Sequence, residues 1–419
     1  MSKFVFEGYS FEAGKARFVY SFEGGQRFAE EIDFAITETP YDEVVLQKAL
    51  FLSFLLIGSS YFKAFPTRDV KVIPGQLDQW QVKFFNTVYQ EGLSQFAFEN
   101  QLNRNSLAWF SPSPKLLSAP PVGYQSRGVL SLVSGGKDSL LTATLLQRGQ
   151  HEFTPWYLSH SESHPAILDQ LGQTLVVAKR RIDHQALELA AKQGGKNGHV
   201  PITYIVQSLA LVQAILLSKN KILVSIGHEG EEPHASIEDL PVTHQWSKTW
   251  SAEQYFAEYV ARYISPDIII GSPLRGFSEL KVAELFVNNS WQTFGHGFSS
   301  CNVANYAQGA DNTQLKWCGQ CPKCANSFLL FAPFVTQEEL ANLFGGQDLF
   351  TSAALQETFK GLLGIDGVMK PFECVGEIEE LRQAYHMAQA KNEYGQLSFG
   401  VPSSSFDYNA RYESQDIAI

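Results

Sequence analysis

Apolar and polar residues alternate with a period of two from Phe4 to Ile36: Phe4, Phe6 and Tyr9, then Arg17 to Phe22, then Phe28 to Phe34. Gly14 and Gly24-Gly25 separate these runs, which predicts a three-stranded antiparallel meander. From Asp42 to Phe62 the pattern is apolar nearly all round, as expected of a buried helix. A second helical stretch, roughly Leu77 to Tyr89, follows Pro74-Gly75. Residues 1–110 are therefore expected to form a small α+β N-terminal domain.

Pro112, Pro114, Pro120 and Pro121 break both periods, so residues 111–127 read as a linker. Beyond it, strand patterns at Val129–Val133, Phe153–Leu158, Thr174–Ala178, Ile222–Ile226 and Asp267–Ile270 alternate with helical ones. The helical patterns lie at Ser139–Arg148, Asp183–Lys192, Tyr204–Ser218 and Ala252–Ile264. This alternation predicts an α/β fold, a doubly wound and mainly parallel sheet over 128–330, with ligands at the carboxyl ends of its strands. Residues 331–419 return to helix and end in a polar stretch expected to be an arm or a frayed tail.

The chemistry concentrates first at Ser134-Gly135-Gly136-Lys137-Asp138-Ser139, between the Val129–Val133 strand and the helix that follows. A strand, a tight glycine turn and a helix start make an anion site: the first N–H groups of a helix lack intrahelical partners, and its dipole favours negative charge there. The Walker spacing is absent. The hexapeptide resembles the PP-loop of the ATP pyrophosphatases, which split ATP to AMP and pyrophosphate.

Five cysteines, three of them within Cys318-Gly319-Gln320-Cys321-Pro322-Lys323-Cys324, do not make a disulfide framework. With Cys301 they suit a tetrahedral structural zinc site, with an iron–sulfur cluster as the rival. The remaining thiol, Cys374, precedes Glu377, Glu379 and Glu380. A thiolate can act as a base at carbon, while a buried cysteine at a helix start explains the segment as well. His244-Gln245-Trp246-Ser247-Lys248 could bind phosphate or an activated carboxylate. Arg275, expected at a strand's carboxyl end, could pair with a phosphate or carboxylate in bidentate fashion. His228 to Glu232 could hold Mg²⁺ or form a solvated acidic loop, and Lys179-Arg180-Arg181 reads as a solvated strand edge.

The net charge of −11 argues against broad nucleic-acid binding. Met1 to Phe4 shows no signal-peptide core, and the apolar run Ala49–Ile57 is shorter than the ~20 residues a membrane span needs. A cytoplasmic protein without membrane attachment is the expectation.

Taken together, Phe6 to Phe11, the Ser134 hexapeptide, His244 to Lys248, Ser272 to Phe286, the cysteine group and Lys370-Pro371-Phe372-Glu373-Cys374-Val375-Gly376 resemble the ATP-dependent UDP-N-acetylmuramoyl-L-alanyl-L-glutamate epimerases, the MurL family. The cysteine spacing also resembles the zinc site of 7-cyano-7-deazaguanine synthases, which keeps a synthase or a tRNA-modifying PP-loop enzyme as the alternative. The MurL resemblance implies an isomerase of peptidoglycan precursor synthesis. It would invert the terminal L-Glu of a UDP-sugar-peptide through an acyl-adenylate, using ATP and Mg²⁺. It also implies that Ser134 to Ser139 hold the pyrophosphate and Asp138 helps to hold Mg²⁺. Arg275 and Lys248 would meet substrate carboxylates or the α-phosphate, and Cys374 would move the proton. His244, His296 and Glu377 are candidates for the opposite face.

Overall fold

The computed structural model describes residues 3–113, 120–161, 163–306, 312–415 and 417. Residues 114–119 of the expected linker lie outside them. The meander forms as β1 (Phe4–Glu12), β2 (Lys15–Phe22) and β3 (Arg27–Asp33), with a short β4 (Val70–Val72) beside β1. The alternating region supplies β5 (Val129–Leu132), β6 (Thr154–Ser159), β7 (Val176–Arg181) and β8 (Lys221–Leu223). A separate hairpin, β9 (Ala235–Ile237) and β10 (Leu240–Val242), precedes β11 (Ile269–Gly271).

Nine of these strands form one sheet in the order β11-β8-β5-β6-β7-β3-β2-β1-β4. The five strands from β11 to β7 are parallel, and β3 joins β7 antiparallel with Ile32 opposite Arg180. The N-terminal meander thus continues the parallel sheet. Lys179 to Arg181, expected to be a solvated edge, lie at this seam. Arg180 is buried and pairs with Glu30 at 2.7 Å, and the Tyr61 hydroxyl donates to the same carboxylate at 2.8 Å. The basic run carried no sign of this partner because Glu30 comes from 150 residues away.

Successive side chains of a strand point to opposite faces. Trp156 and Ile222 accordingly enter one hydrophobic core, while their neighbours Tyr157 and Leu223 enter another. Helices Glu43–Ile57 and Ile202–Leu216 fill the first core. Helices Lys137–Arg148, Glu279–Phe294 and Pro322–Phe331, with the C-terminal helices, fill the second. The 20-residue helical stretch Glu43–Phe62 has the length and apolar character of a membrane span, yet 78% of its most apolar window is buried within this fold. Gly58 lets it approach β1: a Cβ there would lie 2.3 Å from the Phe6 ring.

The C-terminal segment, expected to be an arm or a frayed tail, is an arm docked on the fold. Its described residues run back over the carboxyl end of β11. Tyr412 stacks on His228 with 3.7 Å between ring centroids, and Ile417 is buried beside Gly271. Isolated apolar anchors in a polar stretch have no periodicity, which is why the pattern concealed this docking.

Candidate active site

Strand β5 has β6 on one side and β8 on the other, so the order of strands reverses at its carboxyl end and opens a crevice there. Ser134 to Ser139 make the turn from β5 into helix Lys137–Arg148. Gly135 has φ +85°, and a Cβ on it would lie 2.5 Å from Leu315. The Ser139 hydroxyl accepts from the Ser134 backbone N–H at 3.1 Å and donates to the Gly136 carbonyl at 3.2 Å, which knits the turn. Lys137 Nζ lies 2.7 Å from both Asp138 and Glu279. Burial works to lower the Lys137 ammonium, and the two carboxylates more than reverse it, so the lysine stays charged. The second oxygen of Glu279, Oε1, is buried without a hydrogen-bond partner.

Behind this turn lies a cavity of about 340 Å³ lined by Ser134, Ser139, Trp156, His160, Val206 and Lys248 among others. A second, tighter pocket is lined by Glu229, His244, Lys248, Cys374 and Glu377. Gln245 and Lys248 border both. Lys248 Nζ is 3.2 Å from Glu229. Burial would lower this ammonium, but Cys374, Glu229, Asp138 and Glu279 together hold it well above its ordinary range.

The β9–β10 hairpin assembles the imidazoles. His234 N–H donates to Val242 O at 2.8 Å, so His234 and His244 emerge side by side from its two open ends. His199, before helix Ile202–Leu216, completes a cluster in which the His199–His244 ring centroids are 4.9 Å apart. Burial, followed by neighbouring cations, lowers His199 and His234 to about 4. Burial and the other imidazoles lower His244 to about 2. All three are neutral at pH 7. His244 Nε2 lies 3.7 Å from Cys374 Sγ, and its Nδ1 lies 2.7 Å from Gln95 Oε1. Burial and the neighbouring Glu232 raise Glu377, with Lys370 opposing. Lys370 itself pairs with Glu232. His296 is exposed beyond helix Glu279–Phe294.

Arg275 does not face either cavity. It is fully buried, with Nε and Nη2 on Glu253 at 2.9 and 2.7 Å, Nη1 on Gly227 O at 2.8 Å and Nη2 on Lys248 O at 2.9 Å. A guanidinium so enclosed has no free edge for a substrate carboxylate, so the expected direct contact is not available in this arrangement, and its reach toward the cavities ends on the backbone carbonyl of Lys248.

The four sulfurs of Cys301, Cys318, Cys321 and Cys324 lie within 4.8 Å of one another, with close pairs at 3.5 to 3.7 Å. A tetrahedral ion with metal–sulfur bonds of ~2.3 Å requires sulfur separations of about 3.8 Å. The cradle therefore fits one such ion. It adjoins the Cys374 segment: Asn302 donates to Glu373 at 3.0 Å, and Gly376 N–H donates to the buried Asn326 at 2.9 Å.

Sequence reasoning missed Gln95, His199 and His234. Each stands alone in a segment without motif spacing, and only the fold brings them to His244. Comparison with known proteins finds family matches over both halves of the chain. The MurL N-terminal domain matches residues 1–269 and the MurL C-terminal domain residues 297–401. Relatives named UDP-N-acetyl-alpha-D-muramoyl-L-alanyl-L-glutamate epimerase include one from a Micromonospora species, 33% identical over 91% of this chain and 85% of its own length. Another, from Salinispora tropica, is 34% identical over 91% of this chain and 83% of its own. A third, from Xanthomonas oryzae pv. oryzae, is 31% identical over 91% and 84%. The chain therefore belongs to the MurL family, and its relatives are named as epimerases.

Proposed function

We propose that this protein inverts the terminal L-Glu of UDP-N-acetylmuramoyl-L-alanyl-L-glutamate, with ATP as second substrate, in the cytoplasmic synthesis of peptidoglycan precursors. In this reading the β5 crevice is a PP-loop nucleotide site. The observation that carries the reading is the shared wall of the two cavities: Lys248 borders both the Ser134–Ser139 crevice and the pocket of Cys374 and His244. A carboxylate activated in the first cavity would present its α-carbon to the second.

Activation by ATP would ease the chemistry. An ionised carboxylate resists loss of the neighbouring α-proton, because the carbanion adds charge to an anion. Forming the acyl-adenylate removes that charge, breaks the α–β phosphoanhydride of ATP and releases pyrophosphate. The proton can then leave and return through an enolate, and water releases the inverted acid and AMP. The backbone N–H groups of the Ser134–Ser139 turn would receive the departing pyrophosphate. Lys248 would face the oxygen on which enolate charge develops. Cys374 and Glu377 would carry the proton away from and back to the α-carbon, with neutral His244 accepting a hydrogen bond from the thiol. Asp138 and Glu279, whose Oε1 is unpartnered, would hold Mg²⁺, which would neutralise phosphate charge. The tetracysteine cradle would hold Zn²⁺ as a structural staple.

The decisive assay uses purified protein, ATP, Mg²⁺ and UDP-N-acetylmuramoyl-L-alanyl-L-glutamate in D₂O. AMP release with D-glutamate carrying one solvent deuterium is the expected result. AMP release without inversion would move the chemistry to another acceptor, including the ammonia expected of a synthase.

A further inference from the structure

We propose that Gln95 and Glu99 are positioning residues that set the tautomer of His244 and thereby make its Nε2 a hydrogen-bond acceptor for the Cys374 thiol. The inference rests on the reading of Cys374 as the proton-carrying group. Its structural basis is a chain of three contacts from the N-terminal half to the C-terminal loop. Helix Ser94–Glu99 packs against β10, and Gln95 on it is buried. Gln95 Nε2 donates to Glu99 Oε1 at 2.8 Å. A carboxylate accepts only, so this contact fixes which end of the Gln95 amide faces the other way. The end left facing His244 is Oε1, 2.7 Å from Nδ1.

An amide oxygen also accepts only, so the proton of neutral His244 must sit on Nδ1. Nε2 is then a bare lone pair, and it is the nitrogen 3.7 Å from Cys374 Sγ. The opposite tautomer would put two hydrogen-lacking atoms face to face at Gln95 and would aim an N–H at the sulfur. His199, His234, Lys248 and Lys323 all bear on His244 and disfavour a second proton, so the ring is a neutral acceptor before reaction. The Cys374 S–H therefore donates to Nε2, and no proton is transferred to the ring. The charged groups facing the same pocket are Lys248, Lys370, Glu229, Glu232, Glu373 and Glu377.

The test is the pH profile of Cys374 alkylation by iodoacetamide in the full, metal-replete chain, read by peptide mass. It is paired with kcat and KM for epimerisation and for AMP release. Glu99→Lys, at an exposed position, should invert the Gln95 amide and so the His244 tautomer. Gln95→Leu removes the acceptor, and Gln95→Glu keeps one. Glu99→Lys and Gln95→Leu should each speed Cys374 alkylation at neutral pH, Glu99→Lys by about tenfold, because an Nε2–H aimed at the sulfur favours the thiolate by about one hydrogen bond. Their profiles should move to lower pH, and kcat for inversion should fall with little change in KM or AMP release. Gln95→Glu should retain the alkylation rate. An unchanged profile in folded Glu99→Lys would overturn the proposal. Because alkylation needs no substrate, this outcome is separate from failure of the epimerase assay.

Discussion

Arg275 Nη2 donates to the backbone carbonyl of Lys248 at 2.9 Å while its charge is neutralised by Glu253 at 2.7 Å. One buried guanidinium thus links the end of β11 to a residue that borders both cavities. Removing it would strand a buried carboxylate as well as loosen Lys248. Arg275→Ala is expected to lower stability by about 3–5 kcal/mol in urea unfolding, with the Glu253→Gln double variant recovering part of the loss. A variant that stays fully stable and loses only substrate affinity would restore a direct substrate role.

Cys374 should separate activation from inversion. Cys374→Ala keeps the Ser134–Ser139 turn and Lys248, so AMP release should persist, while D-glutamate formation falls about a hundredfold or more. Glu377→Gln should likewise spare AMP release and impair inversion. Chiral chromatography alongside AMP quantification checks both, and inversion at the wild-type rate in Cys374→Ala would remove the thiol from the chemistry.

The imidazole cluster predicts acid sensitivity. His199 and His234 sit at about 4 and His244 at about 2 in the folded chain, against an ordinary value of 6.5, chiefly because of burial. The unfolded chain binds more protons, so stability is complete above pH 6.5 and is lost as pH falls toward 4. Each imidazole should cost up to about 2 kcal/mol at pH 5 relative to pH 7.5. Urea titrations at the two pH values measure this, and His234→Gln should flatten the difference.

The cysteine cradle should bind one zinc per chain, and Cys321→Ser should abolish it. Asn302 and Asn326 join that cradle to the Cys374 segment, so metal loss should also suppress inversion. Elemental analysis with thermal unfolding checks the first point. Bound iron with visible absorption would replace zinc by a cluster.

The meander, the alternating strands and helices and the Ser134 turn were legible because each depends on residues close together in the chain. Their ends moved by only a few positions: the Val129–Val133 run became Val129–Leu132, and the Ala252–Ile264 pattern became a helix at Trp250–Tyr259 followed by a wider turn of helix at Val260–Ile264. The Cys318 triplet was legible for the same reason, since its spacing forces the sulfurs together.

Long-range partners were not legible. Arg275 looked like a free guanidinium at a strand end until Glu253 enclosed it, and Arg180 looked exposed until Glu30 crossed the β3–β7 seam. The sequence by itself determined the period of each element, the glycine turn after β5 and the close spacing of three cysteines, because local sterics and hydrogen bonding act over a few residues. Only the tertiary structure decided that His234, His244, Lys248 and Cys374 line one pocket, with Gln95 and His199 packed against His244. Bringing them together depends on the burial of two apolar cores on opposite faces of one sheet, a cooperative free energy that no single segment carries.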